Sequence, residues 1–169
     1  MLVREYQIQD TVVLVEHMRQ LQQHIADIDP THQSKPAGEF SAEQYVENLL
    51  RRIASHRGKI FVADDNGTVA GMIAGIIKET EGEDLVDLYP SRNGRVVELF
   101  VDPRFRKQRI GSLLMEQMES YFRSMQCRVV ELGCFATNTS AVTFYAKHGY
   151  QERNIDFCKH LSSPVQASV

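Results

Sequence analysis

The sequence predicts an α/β fold: one domain spanning residues 1–169, a mixed sheet with helices on both faces, in the order β-α-α-β-β-β-α-β-α-β. Three observations carry this. Short apolar runs alternate with longer stretches of helical periodicity along the whole chain. The pair Asn66-Gly67 separates two apolar runs and signals a hairpin, so the early strands are antiparallel. "RVVELFV", a long amphipathic stretch and "RVVELGCF" form a strand-helix-strand crossover, which makes those two strands parallel neighbours.

Taken in order, "LVREYQIQ" alternates as a first strand. "DTVVLVEHMRQLQQHIADI" opens on Asp10, an N-cap residue type, and places Leu14, Met18, Leu21, Ile25 and Ile28 at helical spacing. "DPTHQSKPAGEF" is a loop rich in turn residues. Ser41 starts a second helix, with Val46, Leu49, Leu50 and Ile53 on one face. "KIFVAD" and "TVAGMIAGIIKE" form the hairpin, and the acidic "EGEDLVDLYPSRNG" is an exposed loop. "RVVELFV" is apolar on both faces and hence a buried central strand. The helix after it carries Ile110, Leu113, Leu114, Met118, Tyr121, Phe122 and Met125. "NTSAVTFYAKHG" is a short helix ended by Gly149, and "YQERNIDFCKHL" completes the order as a final strand.

Composition removes several classes of function. A net charge of -3 and a pI near 6.1 argue against a nucleic-acid or anionic-membrane binder, which needs a basic face. Cys127, Cys134 and Cys158 form neither a disulfide framework nor a Cys-x-x-Cys metal spacing, and the six histidines show no ligand spacing, so no metal is expected. The N-terminal "MLVREYQIQD" has no long apolar run, so neither a leader peptide nor a membrane span is expected and a cytoplasmic protein is.

One stretch departs from the acidic average. Arg104, Arg106, Lys107 and Arg109 crowd the junction between "VVELFV" and the long helix. A helix start already carries unpaired N–H groups and partial positive charge, so cations there oppose the dipole unless an anion is bound. The context is neither a P-loop nor a dinucleotide-binding Gly-x-Gly-x-x-Gly. The junction suits a pyrophosphate of another kind.

"VVELFVDPRFRKQRIGSLLM" resembles the acyl-CoA-binding motif of the GNAT N-acetyltransferase superfamily, Arg/Gln-x-x-Gly-x-Gly/Ala, with Arg106 first, Gly111 last and Arg109 where the family has Gly. "NTSAVTFYAKHGYQE" is similar to that family's later helix, with Asn138, Ala141, Tyr145, Lys147, Gly149 and Tyr150 in register. The resemblance implies a GNAT-like sheet with acetyl-CoA as cosubstrate in a V-shaped gap between the two parallel strands. Backbone groups of Leu99, Phe100 and Val101 would then meet the pantetheine arm, and Arg106, Lys107, Gln108, Arg109, Ile110, Gly111 and Ser112 the pyrophosphate. Asn138 would touch the pantetheine, or simply cap its helix. Tyr145 would be the acid that protonates the leaving sulfur; its alternative is packing beside Phe144.

Glu98 is the second catalytic candidate. A carboxylate in an otherwise apolar strand needs a role or a partner, and both a general base and a salt bridge to Arg95 or Arg128 stay open. On this reading it shares a face with Val96 and Phe100. The expected activity is transfer of an acetyl group to the primary amine of a small molecule or peptide by direct attack in a ternary complex. A CoA-binding module without turnover is the alternative. Glu79, Glu81, Glu83, Asp84 and Asp87 either favour a cationic acceptor or form an ordinary solvated acidic loop, and a homodimer is open. His148 and Cys134 could be argued as base or nucleophile, but a lone His late in a short helix and a Cys in a buried strand read as core or cap residues.

Overall fold

Two apolar faces on one sheet organise the chain, and the strand registers show how they arise. The computed structural model describes residues 1–161. It contains β1 (Leu2–Glu5), α1 (Thr11–Ile28), α2 (Ala42–Ser55), β2 (Lys59–Asp65), β3 (Thr68–Glu79), β4 (Arg92–Val101), α3 (Ile110–Ser124), β5 (Val129–Glu131) and α4 (Thr139–Lys147). The sheet order is β1-β2-β3-β4-β5. The first four strands pair antiparallel in sequence, and β4 pairs with β5 in parallel, as the crossover requires. The β2–β3 hairpin turns at Asn66 and Gly67, with φ of 51° and 88°, the signature of a two-residue loop matched to strand twist.

Alternation along the strands divides the core. Val62, Val69, Met72, Ala74 and Phe100 face α1 and α2, where they meet Leu14, Met18, Val46 and Leu49. Phe61, Ala63, Ile73, Ile77 and Val96 face α3, where they meet Leu114, Met115, Met118 and Phe122. Phe122, Leu114, Met115 and Met118 are fully buried, and each contributes about 2–3 kcal/mol by the usual burial scale. Ser41 caps α2 through its side chain, which accepts from the Gln44 N–H at 3.4 Å.

The sheet corrects the sequence reading at three places. The expected final strand does not form: residues 151–161 have no regular structure, and Ile155, Phe157 and Leu161 are exposed. Their alternation is strand-like, but no neighbouring strand supplies the ladder a strand needs. The eight-residue "RVVELGCF" shortens to the three residues of β5, because beyond Glu131 it parts from β4. Glu98 and Val96 do not share a face. Ala74 pairs with Glu98 but Gly75 pairs with Val96, so Val97 is an extra residue in β4. This bulge leaves Val96 facing α3 while Glu98 faces α2 with Phe100.

Candidate active site

The divergence of β4 and β5 makes the site. Their pairing is confined to Asn93–Val129, Gly94–Val130 and Arg95–Glu131, so β4 from Val96 onward has an open edge facing a widening gap. On its other edge the Asp102 N–H donates to the Ala70 carbonyl at 3.0 Å, which fixes the alternation of β4's hydrogen bonds. Glu98, Phe100 and Asp102 bond towards β3, so the N–H and C=O groups of Leu99 and Val101 point into the gap. Phe100 therefore presents its backbone to Met72 of β3 and its ring to the α1–α2 side.

The basic loop caps the wide end of that gap. Arg104 separates from the rest: its guanidinium holds the buried Asp102 carboxylate at 2.6 Å, and Asp102 also accepts from the Arg104 N–H at 2.9 Å. Arg104 thereby keeps the Asp102 carboxyl below the usual carboxylate range. Arg106, Lys107 and Arg109 pair with no carboxylate among the described residues; Arg106 donates through Nε to the Val101 carbonyl at 3.3 Å. Lys107 and Arg109 have φ of 63° and 62°, left-handed conformations that a side chain adopts at a cost of about 1 kcal/mol. Gln108 lies between them. Arg109 is the N-cap of α3, so the amides of Ile110, Gly111 and Ser112 begin the helix without an intrahelical partner. A Cβ on Gly111 would stand 3.2 Å from the ring of Phe144, so this glycine also lets α4 sit close against α3.

Glu98 lies on the α2 side of the sheet at the bulge. Neither Arg95 nor Arg128 pairs with it; its Oε1 accepts a hydrogen bond from the Tyr45 hydroxyl of α2. Burial pushes the Glu98 carboxyl up to about 7, against the lowering effects of the Tyr45 hydrogen bond and the Arg52 charge. A carboxylate with that affinity can hold or release a proton near neutral pH. Tyr45 is raised above its ordinary value, first by burial and then by the Glu98 charge.

On the α3 side of the sheet, Tyr145 of α4 packs edge-on against Phe144 and Tyr150. Burial pushes its phenol up to about 12, and the charges of Cys134 and Glu98 act in the same direction. It therefore stays protonated at any pH where the carboxylate works. Asn138 caps α4, its Oδ1 accepting from the Ala141 N–H at 3.1 Å, while its amide nitrogen lies 3.5 Å from His24 Nε2 of α1. The Glu98 charge thus reaches the Tyr145 phenol, and the open edge of β4 at Leu99 and Val101 leads into the basic loop.

A family model described as the acetyltransferase (GNAT) family matches residues 18–150. The chain belongs to the GNAT acetyltransferase family. Among relatives of that kind it is 30% identical over 137 residues to a protein named N-alpha-acetyltransferase 60 from Xenopus tropicalis, covering 73% of this chain and 56% of the relative. It spans about half the length of the curated relatives it matches first. The fold matches a mutant BH1408 protein from Bacillus halodurans with a TM-score of 0.83 at 18% identity, covering 96% of this chain and all of that one. It also matches AAC(6')-Iy in complex with the bisubstrate analog CoA-S-monomethyl-acetylneamine, with a TM-score of 0.61 at 21% identity, covering 94% and 97%.

For a GNAT acetyltransferase the residues present fit an acyl-CoA: a β4 edge at Leu99 and Val101 that no strand covers, amides at the α3 start without an intrahelical partner, and cations beside them with no carboxylate partner among the described residues. Among the described residues no His, Cys, Asp and Glu cluster could hold a metal, and no helix is long and apolar enough to cross a membrane. Sequence reasoning missed Tyr45. Its hint was a tyrosine one turn into the amphipathic α2, on the side that also carries Val46 and Leu49.

Proposed function

We propose that this GNAT chain transfers the acetyl group of acetyl-CoA to a primary amine by direct attack in a ternary complex. The observation that supports the reading is a buried carboxylate at the β4 bulge whose charge reaches the Tyr145 phenol, on a strand whose edge β5 leaves open beyond Arg95. The Leu99 and Val101 backbone would hold the pantetheine arm, and an N–H of this edge would polarise the acetyl carbonyl. Arg106, Lys107, Arg109 and the amides from Ile110 to Ser112 would hold the pyrophosphate.

Glu98, as carboxylate, accepts a proton from the ammonium of the acceptor, directly or through water, so that a neutral nitrogen attacks the thioester carbon. The C–N bond forms and the C–S bond breaks; Tyr145 gives its phenolic proton to the departing sulfur, and the second proton on nitrogen passes to water as the amide forms. Solvent returns the phenol's proton, and Glu98 releases its own.

The acceptor is best read as cationic. The loop over residues 80–91 leads into the start of β4, at the end opposite the basic loop. Glu79 is used up by Arg57 and Arg92, but Glu81, Glu83, Asp84 and Asp87 pair with no cation among the described residues. The resemblance to a relative named N-alpha-acetyltransferase 60 favours a peptide α-amine within this class. A panel of peptide and small-molecule amines, followed by free thiol released from acetyl-CoA, tests the reading. Amine-dependent release supports it, and acetyl-CoA binding without release from any amine supports the module that binds CoA without turnover.

A further inference from the structure

We infer that Tyr45 is a positioning residue for this reaction, holding the Glu98 carboxylate in the orientation and charge state from which it takes the acceptor's proton. The inference rests on the reading of Glu98 as base.

Three observations converge on Tyr45. It projects from the first turns of α2 among the buried Ala42, Val46 and Leu49, and its ring packs against Phe40, 5.3 Å between centroids. Its hydroxyl reaches across 53 residues of sequence to Glu98 Oε1. It meets that carboxylate at the bulge, where the extra residue Val97 turns Glu98 towards α2 and away from the α3 core. With one oxygen engaged by the phenol, the carboxylate has a fixed plane, and its second oxygen is left for the acceptor or a water.

The surroundings define what else acts on Glu98. From α2, Arg52 lies two turns beyond Tyr45 and favours the charged carboxylate. From β3, the facing residue Ala74 carries no charge. From α1, His17 lies against Phe100, two residues along β4, with ring centroids 4.7 Å apart. From α4, Tyr145 feels the Glu98 charge. Tyr45 is thus the one direct hydrogen-bond donor to this carboxylate among the described residues. Burial alone would favour the protonated form, which cannot act as a base. A donor to the charged form opposes that effect.

The test is to titrate the Glu98 carboxyl by NMR with carbon-13 glutamate, using Glu98→Gln to assign the signal, and to measure kcat/KM for acetyl transfer against pH in the same proteins. Tyr45→Phe should move the carboxyl midpoint and the acidic limb of kcat/KM upward together, by about one to two pH units, as expected for loss of a hydrogen bond to a charged group. Placing 3-fluorotyrosine at position 45, a stronger donor of nearly unchanged shape, should move both downward and guards against misfolding of the phenylalanine variant. A midpoint unmoved in both variants, with only thermal stability altered, overturns the inference. Full turnover by Glu98→Gln would instead remove the base, which the NMR titration distinguishes because it reads Tyr45 and Glu98 without turnover.

Discussion

His148 joins the helix that carries Tyr145 to the helix that starts at the basic loop: its Nε2 lies 2.9 Å from Ser112 Oγ, and its Nδ1 lies 2.8 Å from the Phe144 carbonyl. The carbonyl can only accept, so Nδ1 bears the hydrogen, and Nε2 shares a hydrogen bond with the Ser112 hydroxyl. The imidazole also stacks on Phe144, 4.3 Å between centroids. A side chain that reads as a helix cap in sequence is therefore a cross-link between two halves of the site. His148→Ala and Ser112→Ala should each destabilise the fold by about 1 kcal/mol, and the double variant by less than their sum. Urea denaturation of the four proteins measures this, and strict additivity would show that the two groups do not interact.

Arg109 stands at φ 62°, ψ 10°, where glycine has no steric penalty. Arg109→Gly should raise the stability of the protein without ligand by about 0.5–1 kcal/mol, since it relieves the left-handed side chain while losing some unfolded-state restriction. The same change should weaken acetyl-CoA binding, because it removes a cation beside the pyrophosphate. Thermal unfolding with and without acetyl-CoA separates the effects. A variant that is both more stable and tighter in binding would argue that Arg109 contributes nothing to the anion.

Arg106→Ala should weaken acetyl-CoA binding by about 1–3 kcal/mol, as for loss of a charge-assisted contact, while leaving affinity for acetyl-pantetheine, which has no pyrophosphate, unchanged. Calorimetry with the two ligands reads this. Equal loss for both would mean that Arg106 acts through its bond to the Val101 carbonyl rather than through phosphate.

The Glu98 carboxyl also makes stability depend on pH. Its value in the folded protein is raised from the ordinary 4.5 to about 7, so between these pH values the folded state binds more proton than the unfolded one. Stability from this group is present below about 4.5 and is lost as pH rises through about 7. Glu98→Gln cannot ionise, so its Tm relative to the native protein should rise between pH 5 and pH 8. A Tm difference that stays flat over that range would place the Glu98 carboxyl at its ordinary value.

The sequence made the central part of this fold legible because the signals there are local. Asn66-Gly67 sets its own turn geometry, and the strand-helix-strand crossover dictates the parallel neighbour that opens the gap. Glu98 and Tyr145 stood out by being polar or paired with a motif in apolar surroundings. Tyr45 did not, because an amphipathic helix accounts for a tyrosine at that position without reference to a strand 53 residues later. The bulge at Val97 was invisible for a related reason: a run such as Val96-Val97-Glu98-Leu99 is apolar on both faces, so alternation cannot reveal an inserted residue. The last strand failed because Ile155 and Phe157 have the right period, but a strand also needs a neighbour.

The most direct measurement of the central claim is amine-dependent thiol release from acetyl-CoA by the native protein, Tyr145→Phe and Glu98→Gln, each shown to bind acetyl-CoA. The expected result is release by the native protein, a fall in kcat of about 10²–10³ for Tyr145→Phe with acetyl-CoA affinity kept, and a comparable loss for Glu98→Gln near neutral pH. Turnover unchanged in both variants would contradict it.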